Sequence, residues 1–165
     1  MLWQILYRGP SRQMLHEEYA KHGRIDEQAP ITTSSDVVID APVDHVWALL
    51  INLPAWPTIT PAIRAVRLES VIKVDAYFTF RLYHFPVRAQ LAVVQPNHEL
   101  TWTGVSLWFT SIDQHLVEPL STGGTRLGIA EAFAGILAIP LMSRARLQAQ
   151  HEQWLQAFKQ AAEQG

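Results

Sequence analysis

Residues 62–133 form a series of short apolar or alternating segments separated by turns, and this series limits the fold more than any other feature. In DAYFTFRLY, Phe78 and Phe80 share one face, and in VRAQLAVVQ, Leu91 and Val93 do so. Turn sequences such as PNHE and STGG separate neighbouring segments. Because sequential strands joined by short turns pair antiparallel, the chain predicts one antiparallel sheet of about six to seven strands.

Helical segments precede and follow this series. ITTSSDVVID predicts a first strand, and APVDHVWALLINL predicts a helix with Pro42 in its first turn, followed by a proline-rich turn or second short helix. PLMSRARLQAQHEQWLQAFKQAAE predicts a long helix that begins at Pro140 and carries Leu147, Trp154 and Phe158 on one face. A sheet with one apolar face needs a cover, and this helix is the long element available for it. We therefore predict an α+β helix-grip fold with a ligand cavity between the curved sheet and the C-terminal helix.

The first thirty residues differ from the rest and predict an accessory arm ahead of a domain over 31–165. QMLHEEYAKHGRIDEQAP is polar and predicts one short helix at roughly 11–22, ended by a linker. The apolar cluster Leu2–Tyr7 is expected to pack on the domain or on a second subunit. A homodimer formed through this arm is therefore one prediction.

Composition and motifs exclude several function classes. The chain is 48% hydrophobic and carries a formal net charge of -2 without a dense basic run, which argues against nucleic-acid binding. It has no cysteine, no apolar run long enough to span a membrane and no convincing signal segment, so we expect a soluble cytoplasmic protein. The seven histidines show no metal-site spacing, and no phosphate-binding or dinucleotide fingerprint is present, so we expect neither metal nor cofactor.

One position breaks the alternation of the last strand. In the segment around GIAEAFAG, Leu127, Ile129 and Phe133 share a face, yet Glu131 stands where an apolar residue is expected. A three-residue loop at STGG would pair His115 with Glu131 across a hairpin, whereas a loop of two or four residues would not. The other interpretation is that Glu131 lies partly in water at a strand end and His115 faces solvent.

Several stretches together resemble the SRPBCC superfamily, which comprises START-like and polyketide cyclase/dehydrase-like helix-grip proteins. IDAPVDHVWALLINLPAWPTITPAI resembles the family's first strand, its APxxxVW helix start and the turn after it. LTWTG resembles an L-x-W-x-G strand, VEPLSTGGTRL an L-E-P-x-x-x-G-T-R-L hairpin, and IAEAF an x-x-E-x-F strand end. The resemblance covers about 31–163; Asn52 and Ile59 stand where relatives often have Asp and Trp.

The resemblance implies a cavity for a hydrophobic small molecule of lipid, polyketide or aromatic type, but it does not imply one reaction. Three functions stay open: ligand binding without catalysis, an aromatase/cyclase-type enzyme, and a protein-interaction module with a filled core. In the enzyme, His115 would act as general base and Glu131 would orient it. The predicted ligand-contacting residues are Phe78, Phe80, Leu91, Val93, Trp102, His115, Glu131 and Phe133.

Overall fold

The computed structural model of the protein describes residues 7–135 and 141–165. The predicted packing of Leu2, Trp3, Ile5 and Leu6 and the predicted helix start at Pro140 lie outside the described residues. Within the described ranges, no helix combines the length and the apolar character needed to cross a lipid bilayer.

Seven strands form one antiparallel sheet in the order β1-β7-β6-β5-β4-β3-β2. Strands β2 to β7 follow one another as neighbours, and β1 joins the sheet beside β7, so the predicted antiparallel architecture is confirmed. The strands are β1 Ile31–Ile39, β2 Ile63–Leu68, β3 Tyr77–Leu82, β4 Phe85–Gln95, β5 Glu99–Val105, β6 Thr110–Pro119 and β7 Thr125–Ala134.

The helices lie in three places along the chain. A helical segment, α1, spans residues 12–22 as an α-helical turn, a π-helical turn and a 3₁₀ turn. After β1 come α2 (Val43–Ile51), a 3₁₀ turn (Leu53–Ala55) and α3 (Trp56–Ile59). The C-terminal helix α4 spans Arg144–Gln164 and begins at a Ser143 cap, whose hydroxyl accepts a hydrogen bond from the Arg146 backbone N–H.

Helix α4 packs across the inner face of the sheet, which confirms the helix-grip arrangement. Its buried face carries Leu147, Trp154 and Phe158, as the apolar spacing predicted. Trp56 of α3 reaches the same core, where its ring contacts Trp154 and Phe158 edge-on, with centroid distances of 6.0 and 6.2 Å. The sheet, the short helices and α4 thus share one core.

The N-terminal segment covers the outer face of the same sheet. Leu15 and Ala20 of α1 pack against Ala92 and Ile112 of the sheet in a small second core. His16 fixes this contact, because its ring lies 3.0 Å from Thr103 Oγ1 and 2.9 Å from Asp75 Oδ1. The described part of the arm therefore packs on its own domain; a dimer formed through it stays a prediction.

Two details of strand register differ from the predicted ones. Strands β6 and β7 are joined by residues 120–124, a longer loop than the predicted three residues, and Pro119 pairs with Thr125. His115 consequently lies opposite Ile129, so its predicted pairing with Glu131 is wrong. In β4, a bulge between Leu91 and Val93 reverses the alternation, since an extra residue turns every following side chain to the other face.

Candidate functional site

A cavity of about 480 Å³ lies between the sheet and α4. Its volume falls in the range of about 300–1,000 Å³ that is usual for small-molecule sites. The exposed residues Pro61, Arg64, Tyr83 and Gln153 line its rim, so the cavity opens between the α3–β2 connection, the β3–β4 turn and α4.

Aromatic rings form a large part of the cavity wall. They come from α3, from the sheet and its connections and from α4, so different parts of the fold fix the shape of the wall. Many of the ring pairs are in direct contact, for example Phe109 and Phe133, which stack with centroids 4.3 Å apart. The lining rings with most of their surface buried are Trp56, Phe80, Trp102, Phe109, Phe133 and Trp154.

Four directly paired residues form a row across the inner face of the sheet. Thr33 on β1 pairs with Glu131 on β7, Glu131 pairs with Asp113 on β6, and Asp113 pairs with Trp102 on β5. Directly opposite residues of neighbouring strands present their side chains to the same face. The sheet register therefore brings two carboxyl groups together at one position of the cavity wall.

Glu131 has a buried partner on the helix. His151 Nε2 of α4 lies 2.7 Å from Glu131 Oε2, and His151 Nδ1 lies 3.1 Å from the Thr33 hydroxyl oxygen. All three side chains are buried. In the tautomer with its proton on Nε2, His151 donates a hydrogen bond to Glu131 Oε2 and accepts one from the Thr33 hydroxyl at Nδ1. The partner that a buried carboxylate needs is thus supplied by α4.

Asp113 has a very different environment from an ordinary surface carboxyl group. Its side chain is half-buried because it faces the cavity, although it lies deep within the fold. Burial raises its pKa well above the usual value, and the nearby Glu131 raises the pKa further. The Ser111 hydroxyl donates a hydrogen bond of 3.2 Å to Asp113 Oδ2, and this bond together with the Trp102 side chain offsets part of the rise in pKa. Asp113 is therefore poised to hold a proton beside the Glu131 carboxylate.

His115 lies on the same wall but is not equipped to act as a base. Its ring stacks on Trp102 with centroids 4.5 Å apart and also contacts Trp154 at 4.8 Å. Burial, with a smaller contribution from His151, lowers its pKa to about 3. The Leu100 backbone offsets this only in part, and His115 Nδ1 has no well-aligned hydrogen-bond partner among the described residues. His115 is thus neutral at physiological pH.

One set of cavity residues has atoms at metal-ligand spacing. One ligand atom each of Asp113, Glu131 and His151 lies within 4.8 Å of the other two. The hydrogen bond between His151 and Glu131 already directs the available His151 nitrogen at the carboxylate, and Thr33 occupies the other nitrogen. A metal ion would have to replace that hydrogen bond.

The structure brings five of the eight predicted ligand-contacting residues into the cavity wall. These are Phe80, Trp102, His115, Glu131 and Phe133. Phe78 and Leu91 are fully buried beneath the wall, where Phe78 supports Phe80 and Trp102 through ring contacts at 5.7 Å. Val93 lies beyond the β4 bulge, opposite Thr101, and lines no part of the cavity. Ligand contact at the lining residues stays a prediction.

Sequence reasoning missed Asp113 and the role of His151. Both signals were present: Asp113 shares strand parity with His115, and His151 stands on the apolar stripe of α4. What the sequence could not supply was the position of α4 along the sheet, which decides that His151 and not His115 faces Glu131.

Most of the chain matches one protein family. Residues 30–163 match the family described as polyketide cyclase / dehydrase and lipid transport. The chain belongs to this family. No curated protein shows significant sequence similarity to it. Family membership agrees with the resemblance seen in the sequence and with the helix-grip architecture.

Solved structures of family-like fold resemble the chain over most of its length. A hypothetical protein from Helicobacter pylori has a TM-score of 0.72 at 17% identity, with 94% of this chain and 96% of that chain covered. The Zhui aromatase/cyclase from a Streptomyces species has a TM-score of 0.71 at 14% identity, covering 81% and 93%. A START superfamily protein from Mycobacterium smegmatis has a TM-score of 0.69 at 14% identity, covering 81% and 97%. At these identities the likenesses establish the fold alone.

Proposed function

We propose that this protein binds a hydrophobic small molecule in the cavity between the sheet and α4. The observation that carries the proposal is the cavity itself, about 480 Å³ in volume, with a mainly apolar, ring-rich wall and a few polar side chains grouped around Asp113 and Glu131. Apolar rings supply the binding free energy, and the few polar groups orient the ligand. A filled core would have favoured an interaction module, so the open space supports ligand binding over that alternative.

The direct test is binding of a neutral, hydrophobic fluorophore. We expect N-phenyl-naphthylamine to gain fluorescence when the purified protein is added, and native mass spectrometry to detect small molecules that co-purify. Ala157→Trp, which adds an indole at the cavity wall on α4, is expected to weaken fluorophore binding. Ala161→Trp is the matched control, because Ala161 is also half-buried on α4 but lines no part of the cavity. Equal binding by both variants would contradict the proposal.

A second candidate function is proton-transfer catalysis on the bound ligand. It is favoured by the contrast between Asp113, whose raised pKa keeps a proton available, and the neighbouring Glu131, which is paired with His151. These residues replace the predicted His115–Glu131 pair, since a histidine with a pKa of about 3 is a poor base at neutral pH. Exchange of the acidic C–H protons of β-tetralone into deuterium oxide, followed by NMR, tests this function. An exchange rate that Asp113→Asn and Glu131→Gln leave unchanged would rule it out.

A further inference from the structure

The interior of the cavity is acidic. Asp113 and Glu131 contribute two carboxyl groups to its wall, whereas His115 is held neutral by burial. Among the described lining residues, the one side chain with a permanent positive charge is Arg64, and it is exposed at the rim. His151 is hydrogen-bonded to Glu131 across 2.7 Å, but the second carboxyl group, that of Asp113, has no basic partner. The interior therefore offers an unmatched site for positive charge.

Aromatic rings lie beside this acidic position, where His115 stacks on Trp102 and Phe158 stacks on Trp154. Trp102 lies opposite Asp113 in the adjacent strand, and Trp154 projects from α4 onto the same region, in contact with His115. The negative face of an indole attracts a cation, and the attraction strengthens where water is excluded. The indole rings of the cavity wall therefore favour a cation, as its carboxyl groups do.

Two buried polar atoms of the wall are poorly satisfied. Trp102 Nε1 and His115 Nδ1 form no well-aligned hydrogen bond with the described residues, although their side chains are only 4% and 2% exposed. Weaker interactions remain, because the Trp102 side chain lowers the pKa of Asp113 and the Leu100 backbone raises that of His115. Poorly satisfied buried polar atoms are uncommon in native proteins, and a ligand can complete their hydrogen bonds. Since His115 is neutral, one of its ring nitrogens is an acceptor, which a ligand N–H group can use.

We propose that the ligand of this cavity carries a protonated amine on an aromatic or similarly apolar body, and that Asp113 and Glu131 bind the ammonium group. This inference rests on the proposed binding function and names the class of ligand for it. The apolar body occupies the ring-lined space, and the ammonium group donates charge-assisted hydrogen bonds to the two carboxyl groups.

An organic ammonium suits the site better than a bare metal ion. The cavity is large and ring-lined, so it has far more space than an ion requires, and the ring faces would contribute nothing to ion coordination. In addition, the hydrogen bond between His151 and Glu131 can persist when an ammonium group binds, whereas a metal ion would have to break it.

Binding is expected to release a proton from Asp113. The titratable or charged groups that face this carboxyl group are Glu131 from β7, His151 from α4, His115 from its own strand and, at the rim, Arg64. The empty cavity favours protonated Asp113, while an ammonium ligand favours its ionised form, so affinity for the ammonium should rise with pH until Asp113 is ionised in the free protein. A primary amine itself stays protonated up to neutral pH and somewhat above it, because its pKa is about 10.

The experiment compares three probes that share one ring system and one attachment point but differ in head-group charge. Naphthylmethylamine is cationic, naphthylmethanol is neutral and naphthoate is anionic at pH 7. Isothermal titration calorimetry in two buffers of different ionisation enthalpy gives both the affinity and the number of protons released. We expect the amine to bind about tenfold or more tightly than the alcohol, the acid to bind most weakly, and proton release to accompany the amine alone.

Asp113→Asn is the decisive variant, and Asp36→Asn is its matched control, since Asp36 is an exposed carboxylate outside the cavity wall. Asp113→Asn should reduce the preference for the amine over the alcohol and abolish proton release, whereas Asp36→Asn should leave both unchanged. Equal binding of amine and alcohol, or a preference that survives Asp113→Asn, overturns the ammonium proposal. Binding of Zn²⁺ or Mn²⁺ that Asp113→Asn removes, without any amine preference, overturns it in favour of a metal site.

The two proposals fail in different ways. If N-phenyl-naphthylamine and the neutral alcohol bind in the cavity but the amine has no advantage, the binding function stands and the ligand class is wrong. If none of the probes binds and Ala157→Trp changes nothing, the binding function itself is contradicted.

Discussion

Asp113 on β6 lies directly opposite Glu131 on β7, and both carboxyl groups face the cavity. His151 of α4 is hydrogen-bonded to Glu131, so the two acids have unequal partners: Glu131 has a histidine, whereas Asp113 has the Ser111 hydroxyl and the Trp102 side chain. This inequality separates their roles, because burial raises the pKa of Asp113 well above its usual value. The predictions below follow from this arrangement and from the packing around it.

Asp113 should make the protein less stable as the pH rises. Its pKa is raised in the folded state from the ordinary value of 3.8, so the folded protein holds a proton that the unfolded chain has released. Stability is therefore lost as the pH rises from about 4 towards the folded-state pKa. Asp113→Asn removes this loss, and its melting temperature relative to wild type should increase with pH. The change in melting temperature caused by Asp36→Asn is subtracted as a control. If the remaining difference between Asp113→Asn and wild type is constant with pH, the raised pKa of Asp113 is contradicted.

His115 should make the protein less stable as the pH falls. The pKa of His115 is lowered from 6.5 to about 3 in the folded state. Between these pH values the unfolded chain therefore binds a proton that the folded protein does not bind. Stability should fall as the pH falls from about 6.5 towards 3. His115→Phe retains a ring that can stack on Trp102 and should resist acid better than wild type. Thermal melts between these pH values measure the effect; parallel melting curves for both proteins would refute it.

Glu131 and His151 should be energetically coupled. His151→Leu leaves a buried carboxylate without its partner and beside Asp113, and we expect a loss of about 3–5 kcal/mol in the free energy of unfolding. The double variant Glu131→Leu/His151→Leu removes the charge as well and should recover most of that loss. Urea unfolding of both single variants and the double variant completes the cycle. Additive effects within about 0.5 kcal/mol would show that the 2.7 Å contact contributes no coupling.

Trp154 should be a major stabilising contact of α4. Its ring stacks on Phe158 at 3.9 Å and contacts Trp56 and His115, with 9% of its surface exposed. Trp154→Ala should cost about 3–5 kcal/mol, measured by urea unfolding. Gln153→Ala, at an exposed position one residue earlier, should change stability by about 0.5 kcal/mol or less. Similar costs for the two variants would mean that α4 is not held by its apolar face.

The N-terminal arm should stabilise the domain by covering its outer face. Leu15 packs against the sheet and is only 3% exposed, whereas the adjacent Met14 is 50% exposed. Leu15→Ala should cost about 2–4 kcal/mol, and Met14→Ala should cost little. Deletion of residues 1–30 should leave a folded domain with a lower melting temperature and a greater tendency to aggregate, which size-exclusion chromatography detects. An unchanged melting temperature and oligomeric state after the deletion would show that the arm has no such role.

The sequence predicted the elements of this fold better than their registers. The alternation in β7 placed Glu131 on the face of Leu127, Ile129 and Phe133, which is the inner face, because side-chain direction depends only on local parity; the direction of His115 was left open. Their pairing depends on the length of the loop between them, and Gly123–Gly124 allowed several lengths, so the predicted pair was shifted by two residues. A bulge in β4 likewise left no clear mark in a continuous apolar segment, and Val93 was assigned to the wrong face.

The candidate site was only partly predictable for a related reason. Five lining residues followed from strand parity, but Trp56 and Met142 come from other elements, whose approach to the sheet no strand pattern describes. The partner of Glu131 depends on how far α4 slides along the sheet. That distance is set by tertiary packing. The sequence therefore identified the unusual carboxyl group of Glu131 but not its hydrogen-bond partner, His151.

The row from Thr33 through Glu131 and Asp113 to Trp102 crosses four hydrogen-bonded strands, whereas the rim is made from a connection, a turn and a helix face. The residues that would contact a ligand's polar group and the residues that control access to the cavity therefore lie in separate parts of the chain. Substitutions along the row should retune which functional group is accepted, and substitutions at the rim should change how fast molecules exchange. On the proposed binding function, protein engineering could therefore adjust the selectivity of the domain and its rate of ligand exchange through different substitutions.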